Sequence, residues 1–444
     1  MRPVLFLALA PLVQESVPSR PPLPDAVAAA VSPDRLAATV ERLALFGTRH
    51  TLSEAESDER GIGAARRWLL EELDGHGGRL EATLDPHEVE LRGGAAADVV
   101  NVVAVLPGKM SEARDRHYYV LAHYDSRASN GGDAESDAPG ANDDGSGTAL
   151  VLELARVLAK TELDSTVVFL ATAGEEQGLW GASRHLERVL AEGRDVRAAL
   201  NNDIVGDPTG PPDASGAPRM ARDLVRVFSE GLPASGLDER SVTALRRLSG
   251  ENDSSSRQLS RFVARVAEVH ETRVRPMPVH RPDRFLRGGD HTPFNEHGIA
   301  AVRFTEVHEN YARQHQDVRE EDGVSYGDLP EHVDAEYLAD VTRLNGIALV
   351  HLANAPSVPG NARLSTRSLS NDTTLTWEPS PEPDVAGYEV LWRATTEPDW
   401  SHVLDAGTAT EATVDLSKDD WFFGVRAYDR EGYRSPVAFP AAGR

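Results

Sequence analysis

The sequence contains no cysteine, four methionines and three lysines, Lys109, Lys160 and Lys418. Without cysteine there is no disulfide, and a metal ion would have to be bound by nitrogen and oxygen ligands. No segment approaches the ~20 consecutive apolar residues that a membrane-spanning helix needs. The 71 acidic residues outnumber the 46 basic ones, and the formal net charge of −25 argues against nucleic acid or an anionic membrane as a partner.

A chain of 444 residues is long enough for two or more domains, and its hydrophobic fraction of 40% is typical of a soluble globular protein. The first residues, MRPVLFLALAPLVQ, place one arginine before an apolar run. This pattern resembles a short secretory signal, so we predict a signal peptide within residues 1–20 and a secreted or periplasmic protein. A cytoplasmic protein with an apolar start is the alternative.

Apolar strand-like runs alternate with helix-like segments through most of the chain. The predicted strands cover 80–91, 98–106, 117–122, 166–171, 197–202 and 299–304. The predicted helices cover 32–51, 61–73, 147–159, 181–190, 220–231, 257–269 and 335–353. Since buried strands that alternate with helices are typical of parallel sheets, residues 25–354 are predicted to form an α/β domain with a mostly parallel mixed sheet between helices.

A second domain is predicted after a short linker rich in proline and glycine at 355–361. Residues 362–444 hold several strand-like runs separated by turn residues, which predicts a small all-β sandwich. Trp377, the Tyr388–Val390 and Val425–Ala427 runs and the Gly432–Ser435 turn resemble a fibronectin type III domain. A role in stability or spacing is the simplest interpretation, and contact with other proteins or cell-surface glycans is the alternative.

Acidic and histidine residues follow several of the predicted strands. These residues are His123, Asp143, Glu175, Glu176, Asp203 and His315. Because an open α/β sheet gathers functional side chains at the carboxyl ends of its strands, they are expected to share one site. Two imidazoles and three carboxylates suffice for two divalent cations, with one glutamate left for proton transfer. The pattern predicts a metallohydrolase.

The local sequence favours a metal site at some of these positions and leaves a structural role open at others. His123 ends a strand with Asp125 nearby, and a carboxylate there commonly fixes the tautomer of a metal-bound imidazole. Asp143 precedes a glycine-rich helix start, where it or Asp144 could instead cap the helix. The adjacent carboxylates of Glu175 and Glu176 would be costly at a buried strand end unless a cation offsets them.

The last metal ligand has two candidates in one segment. His315 is preferred because Tyr311 and Asp317 flank it as orienting groups, and His308 is the reserve.

Together these motifs resemble one known family. HYDS, PGANDDGSG, GEEQGLWGAS, NNDIVG, GGDHTPF and ENYARQH occur in the order seen in the co-catalytic zinc aminopeptidases, the M28 metallopeptidases. The resemblance covers roughly residues 98–317. It implies a sheet-and-helix zinc exopeptidase fold, two bound zinc ions and removal of N-terminal residues from peptide substrates.

The resemblance also implies individual roles. His123 and Asp203 would hold one zinc ion, Glu176 and His315 the other, and Asp143 would bridge them. Glu175 matches the general base, and Asp125 matches the residue that orients His123. Asp290, His291 and Tyr311 are expected near the substrate pocket, although Tyr311 stands four residues before His315 instead of directly before the last histidine.

Two other functions remain open at this stage. One is a single-zinc enzyme that cyclises N-terminal glutamine, and the other is a catalytically silent protein that binds peptides or a cell surface. Retention of all five ligand positions favours the two-zinc enzyme over the first, and Glu175 argues against the second.

Overall fold

The computed structural model describes residues 20–91, 94–233, 237–366 and 370–443. The predicted signal sequence therefore lies outside the described residues, except for Arg20. The chain divides into two compact units. The α/β unit consists of Leu23–Asp238 and Ser255–Ala353, and the β unit consists of Glu239–Ser254, Asn354–Arg444 and the described part of Met1–Pro22. The predicted domain boundaries at 25–354, 355–361 and 362–444 stay predictions.

The described residues contain the following α-helices, numbered in chain order. They are α1 (Pro22–Ala29), α2 (Pro33–Ala44), α3 (Gly61–Gly75), α4 (Gly145–Leu158), α5 (Trp180–Ala191), α6 (Glu239–Arg247), α7 (Ser255–Val269), α8 (Thr292–Glu296) and α9 (Ala335–Asn354). The start of α2 follows the sequence signal, since Ser32 accepts a hydrogen bond from the backbone N–H of Arg35 and Pro33 takes the first helical position.

The strands of the α/β unit are β1 (Glu81–Glu90), β2 (Ala96–Leu106), β3 (Arg116–His123), β4 (Thr166–Thr172), β5 (Asp195–Asn202), β6 (Thr209–Gly210), β7 (Arg219–Met220), β8 (Leu224–Ser229), β9 (Arg275–Val279), β10 (Ala300–Thr305), β11 (Arg319–Glu321) and β12 (Val324–Tyr326). The strands of the β unit are β13 (Gly360–Ser365), β14 (Thr373–Glu378), β15 (Val385–Ala394), β16 (His402–Gly407), β17 (Glu411–Val414), β18 (Trp421–Asp429) and β19 (Ala441–Gly443).

The α/β unit is built on an eight-stranded mixed sheet in the order β1-β2-β4-β3-β5-β10-β8-β9. The four central strands β4, β3, β5 and β10 run parallel to one another. Antiparallel pairs join β2 to β1 and β4, and β8 to β10. The mixed sheet predicted from the alternating pattern is thus confirmed.

Both faces of this sheet are buried, which explains why its central strands are apolar throughout. Tyr119 and Leu121 of β3 point to a core that includes Leu186 of α5 and Phe294 of α8. Neighbouring side chains in a strand point to opposite faces, and the intervening Val120 is fully buried as well. Helices therefore flank the sheet, as the sequence predicts.

The helix predicted over 220–231 is wrong. These residues form part of β7 and the strand β8, which pairs with β10 on one side and β9 on the other. Val225 and Val227 are both fully buried. Their spacing of two residues is that of one face of a strand, and β-branched side chains such as these fit a pleated sheet better than a helix.

The β unit contains two sheets, with strand orders β17-β14-β13-β19 and β16-β15-β18. Side chains of both meet in one core, with Leu375 and Trp377 from the first sheet and Val390 and Val425 from the second. The predicted all-β sandwich is thus present, although β19 pairs with β13 in parallel. Its resemblance to a fibronectin type III domain stays a prediction.

Within the described ranges, none of the helices combines the length and the apolar character that crossing a bilayer requires.

Candidate metal centre

The candidate site lies at one edge of the sheet because four parallel strands end there. His123 is the last residue of β3, Asp203 directly follows β5, and Glu175 and Glu176 follow β4 after a short turn. Asp143 belongs to the connection between β3 and α4. Parallel neighbours present their carboxyl ends together, so residues far apart in sequence come into contact.

The five predicted ligands and the predicted general base Glu175 form two groups, and the candidate metal-binding atoms of each group lie within 4.8 Å of one another. His123, Glu175 and Asp203 form the first group, and Asp143, Glu176 and His315 form the second.

Asp143 lies between the two histidines. Its Oδ1 is 3.2 Å from Nε2 of His123, and its Oδ2 is 3.0 Å from Nε2 of His315. Nε2 of His315 is also 2.8 Å from Oε1 of Glu176. One carboxylate therefore faces both groups, one oxygen to each.

The segment after β10 brings His315, rather than His308, to this cluster. His308 packs its Cβ against Gly210, where an added Cβ would come within 2.4 Å of it. Among the described residues, the groups able to hold a metal ion include His315 and do not include His308. The geometry thus favours His315 as the last ligand.

Asp125 joins the carboxyl ends of β3 and β4 through hydrogen bonds. Its carboxylate accepts hydrogen bonds from the backbone N–H groups of Glu175 and Glu176, each at 3.3 Å, and from the hydroxyl of Thr51 at 3.1 Å. Its backbone oxygen lies 3.1 Å from Nδ1 of His123, and its Oδ1 lies 3.5 Å from the same atom. Because an acceptor at Nδ1 leaves Nε2 free to bind a cation, Asp125 can orient His123.

Asp144, not Asp143, caps the following helix. Its side chain accepts hydrogen bonds from the backbone N–H groups of Gly147 at 2.9 Å, His123 at 3.2 Å and Ile204 at 3.3 Å. The start of α4 and the ends of β3 and β5 are therefore joined through one buried carboxylate, while Asp143 faces the histidines.

Buried negative charge dominates the electrostatics of the site. Burial opposes the charged form of both imidazoles, but the surrounding carboxylates outweigh it. Asp125, Asp143 and Asp203 raise the pKa of His123 well above its usual value. Asp143 and Glu176 raise the pKa of His315 to about 10. Each imidazole thus faces an environment that strongly favours positive charge.

The pKa values of Asp143 and Glu175 shift in opposite directions. Burial acts to raise the pKa of Asp143, but the two histidines outweigh it and hold that pKa well below its usual range. Burial raises the pKa of Glu175 well above its usual value, and nearby Asp203, Glu176 and Asp290 add to the increase. A carboxylate with a raised pKa is suited to receive and return a proton near neutral pH.

The donor chemistry fits a pair of divalent cations. Each group offers one imidazole nitrogen and carboxylate oxygens, which are the ligands that zinc takes where thiolates are absent. Oδ1 of Asp203 is buried and receives no well-aligned hydrogen bond, although Nη2 of Arg303 lies 3.0 Å away.

The three expected pocket residues lie in different settings. Asp290 is buried, receives a hydrogen bond from the hydroxyl of Thr172, and has its pKa raised by burial to about 7. Nε2 of His291 is 2.8 Å from the backbone oxygen of Pro282. The side chain of Tyr311 is 66% exposed. Asp290 thus lies close enough to Glu175 to raise its pKa, whereas the side chain of Tyr311 is largely exposed to solvent.

Three supporting residues carry no signal in the sequence. Arg49, fully buried, donates to the backbone oxygens of Tyr124 at 2.7 Å and Gly140 at 2.9 Å, which fixes the loop that precedes Asp143. Asp328 accepts hydrogen bonds from the backbone N–H of Asp143 at 2.7 Å. The third is Arg303, whose Nη2 lies 3.0 Å from Oδ1 of Asp203.

A separate buried cluster surrounds Asp85 of β1. Its Oδ2 lies 2.9 Å from Nε2 of His87 and 2.7 Å from Nδ1 of His185, and its Oδ1 lies 3.0 Å from Nε of Arg188. Burial would raise the pKa of Asp85, but the hydrogen bonds from His185 and His87 outweigh it and hold the pKa below its usual range. Since Arg188 already offsets the charge, the cluster serves best as a hydrogen-bonded link between β1 and α5.

Comparisons with known proteins agree with this geometry. Residues 101–335 match the sequence profile of Peptidase family M28. A probable zinc metalloprotease of Leptosphaeria maculans is 44% identical over 423 residues, which are 93% of this chain and 95% of that protein. Another, of Pyrenophora tritici-repentis, is 42% identical and covers 93% of this chain and 86% of its own.

The fold also has solved counterparts. The LapA aminopeptidase of Legionella pneumophila gives a TM-score of 0.52 at 19% identity, over 75% of each chain. An aminopeptidase from Aneurinibacillus gives 0.51 at 14% identity, over 74% of this chain and 96% of its own. At these identities the likeness concerns the fold.

Proposed function

The chain belongs to peptidase family M28, and from that premise we propose that it is a dinuclear zinc aminopeptidase that removes N-terminal residues from peptides. The observation that carries the proposal is the position of Asp143. Its two oxygens lie 3.2 Å and 3.0 Å from the Nε2 atoms of His123 and His315, and Glu175 lies beside them in the same cluster.

Five ligands would divide between the two ions. His123 and Asp203 would hold one zinc ion, Glu176 and His315 the other, and Asp143 would contribute one oxygen to each. Bound zinc would supply Lewis acidity and lower the pKa of a water molecule toward neutrality.

Glu175 would provide the proton transfer. Its carboxylate would accept a proton from the attacking water and pass it to the nitrogen of the leaving peptide, a role typically worth about 10² to 10⁴ in rate. Burial and the neighbouring carboxylates raise the pKa of Glu175 in the protein without metal, which favours proton uptake. Asp125 fixes its backbone through the N–H of Glu175, 3.3 Å away, and so aims the side chain at the cluster.

The test is hydrolysis of aminoacyl nitroanilides by the zinc-loaded full chain, with the same substrates acetylated at nitrogen as a control. We expect cleavage only where the amino group is free. Glu175→Gln should lower kcat by about 10² to 10⁴ while two zinc ions remain bound. Glu187→Gln, a change at a side chain that is 53% exposed on α5, should leave kcat unaltered.

The alternatives predict different outcomes. One zinc ion per chain together with cyclisation of N-terminal glutamine would indicate the cyclase. Full zinc loading without cleavage of any free-amino substrate would indicate a binding protein.

Two further parts of the proposal concern the rest of the chain. We propose that residues 1–20 direct secretion, which N-terminal sequencing of the protein from the growth medium would test. We also propose that the β unit serves as an accessory domain for stability, or for contact with proteins or glycans.

A further inference from the structure

Arg303 is a fully buried arginine directly behind the candidate metal centre. It lies in β10, opposite Asn201 of the parallel strand β5, so its side chain reaches the end of that strand. Its Nη2 lies 3.0 Å from Oδ1 of Asp203, and its Nη1 lies 2.9 Å from Oδ2 of Asp283. One guanidinium is therefore shared between an expected metal ligand and a second buried carboxylate.

This cation distinguishes the two proposed metal positions. Asp203 serves one position and contacts a guanidinium that is 0% exposed. Glu176 serves the other, and the guanidinium nearest to it, that of Arg127, is 3.9 Å away on a side chain that is 24% exposed. Since water screens the second interaction and is excluded from the first, Arg303 exerts the stronger effect.

We propose that Arg303 is a positioning residue that limits the affinity of the cation position served by His123 and Asp203, and leaves the position served by Glu176 and His315 unaffected. The inference rests on the proposed function. The guanidinium repels a divalent cation at Asp203 and draws charge from Oδ1, the oxygen it contacts. Asp283 moderates both effects because it shares the same guanidinium.

Three substitutions separate charge from packing. Arg303→Met removes the repelling charge and should raise the affinity of one cation-binding step at least about tenfold. Arg303→Lys keeps a positive charge and should stay within about threefold of the wild type. Asp283→Asn removes one of the carboxylates that offset the charge of Arg303 and should lower the affinity of the same step about tenfold. A purely structural role would weaken binding in every variant.

Metal-free full-length protein is titrated with Co²⁺, and binding is measured by calorimetry and by the visible absorption of the bound ion. Circular dichroism and thermal unfolding of the metal-free variants report whether each is folded. If Arg303→Met does not fold, Asp283→Asn still tests the inference, because the inference confines its loss of affinity to one binding step, whereas a structural role would weaken both steps.

The possible results distinguish the role of Arg303 from the two-metal proposal. Opposite shifts in Arg303→Met and Asp283→Asn, confined to one binding step, support the inference. Shifts in the same direction, or equal shifts in both steps, overturn it while the two-metal proposal stands. A wild-type protein that binds no Co²⁺ or Zn²⁺ overturns both.

Discussion

Replacing Asp125 by asparagine tests how far one buried carboxylate organises the metal centre. Asp125 is fully buried. Its Oδ1 accepts the N–H of Glu175, and its Oδ2 accepts the N–H of Glu176 and the hydroxyl of Thr51. Asparagine keeps the shape but turns one of these oxygens into an N–H donor. In either orientation of the amide, that donor meets at least one backbone N–H.

The magnitude follows from these contacts. A hydrogen bond to a charged group contributes about 1.5 to 3 kcal/mol, and a buried donor left without an acceptor costs about 1 to 3 kcal/mol. Because asparagine preserves part of the network, we expect a loss of about 2 to 4 kcal/mol in the free energy of unfolding. Loss of the negative charge 3.5 Å from Nδ1 of His123 should also weaken zinc binding by about 10- to 100-fold.

Urea unfolding of the metal-free protein measures the first quantity, and competition with a zinc chelator measures the second. Asp137→Asn is the matched control. Asp137 has a side chain that is 65% exposed, with Arg60 at 2.7 Å, so its loss should change stability by no more than about 0.5 kcal/mol. If Asp125→Asn matched this control in both assays, the argument for its organising role would be refuted.

The other predictions concern the last ligand and the Asp85 cluster. His315→Gln should remove one of two bound zinc ions and most of the activity, whereas His308→Gln should keep both ions by elemental analysis; the reverse result would reassign the ligand. Asp85→Asn should lower the free energy of unfolding by about 3 kcal/mol near neutral pH, because the buried imidazole of His185 and the partly exposed guanidinium of Arg188 lose their charged acceptor. The pKa of Asp85 is lowered in the folded state, so its contribution is complete above about pH 4 and is lost as the pH falls further. Urea unfolding as a function of pH should therefore show the two proteins converging in acid, and a constant gap would contradict the assignment.

Much of the site could be predicted because its residues follow apolar strands. The runs that become β3 and β4 are nearly continuous apolar segments, and that of β5 has an apolar centre, so they indicate buried parallel strands. Once that sheet is expected, His123, Glu175 and Asp203 must lie at one edge. The sequence favours His315 over His308 only because Tyr311 and Asp317 flank it. In the structure Tyr311 is largely exposed to solvent.

What the sequence could not indicate is the support around the ligands. Arg49 and Arg303 are fully buried, but an arginine in a chain rich in arginine gives no sign of burial. Asp328 reaches the N–H of Asp143 from a distant loop, and such pairs depend on tertiary contacts. The helix wrongly predicted over 220–231 shows a related limit. The few apolar residues of this segment fit both the helical period and the two-residue period of a strand. Pairing with β9 and β10 makes it a strand.

The composition of the β unit has a practical consequence. Glu239–Ser254 lies in the middle of the chain, yet it belongs to that unit, where Asp253 pairs with Arg393 at 2.7 Å. A protein truncated near residue 353 would retain Glu239–Ser254 but lose the strands of its unit and Arg393, an ion-pair partner of Asp253. Trimming the C-terminal part is therefore a poor route to a minimal enzyme, and any gene fusion that exchanges this part must transplant two separate stretches of sequence.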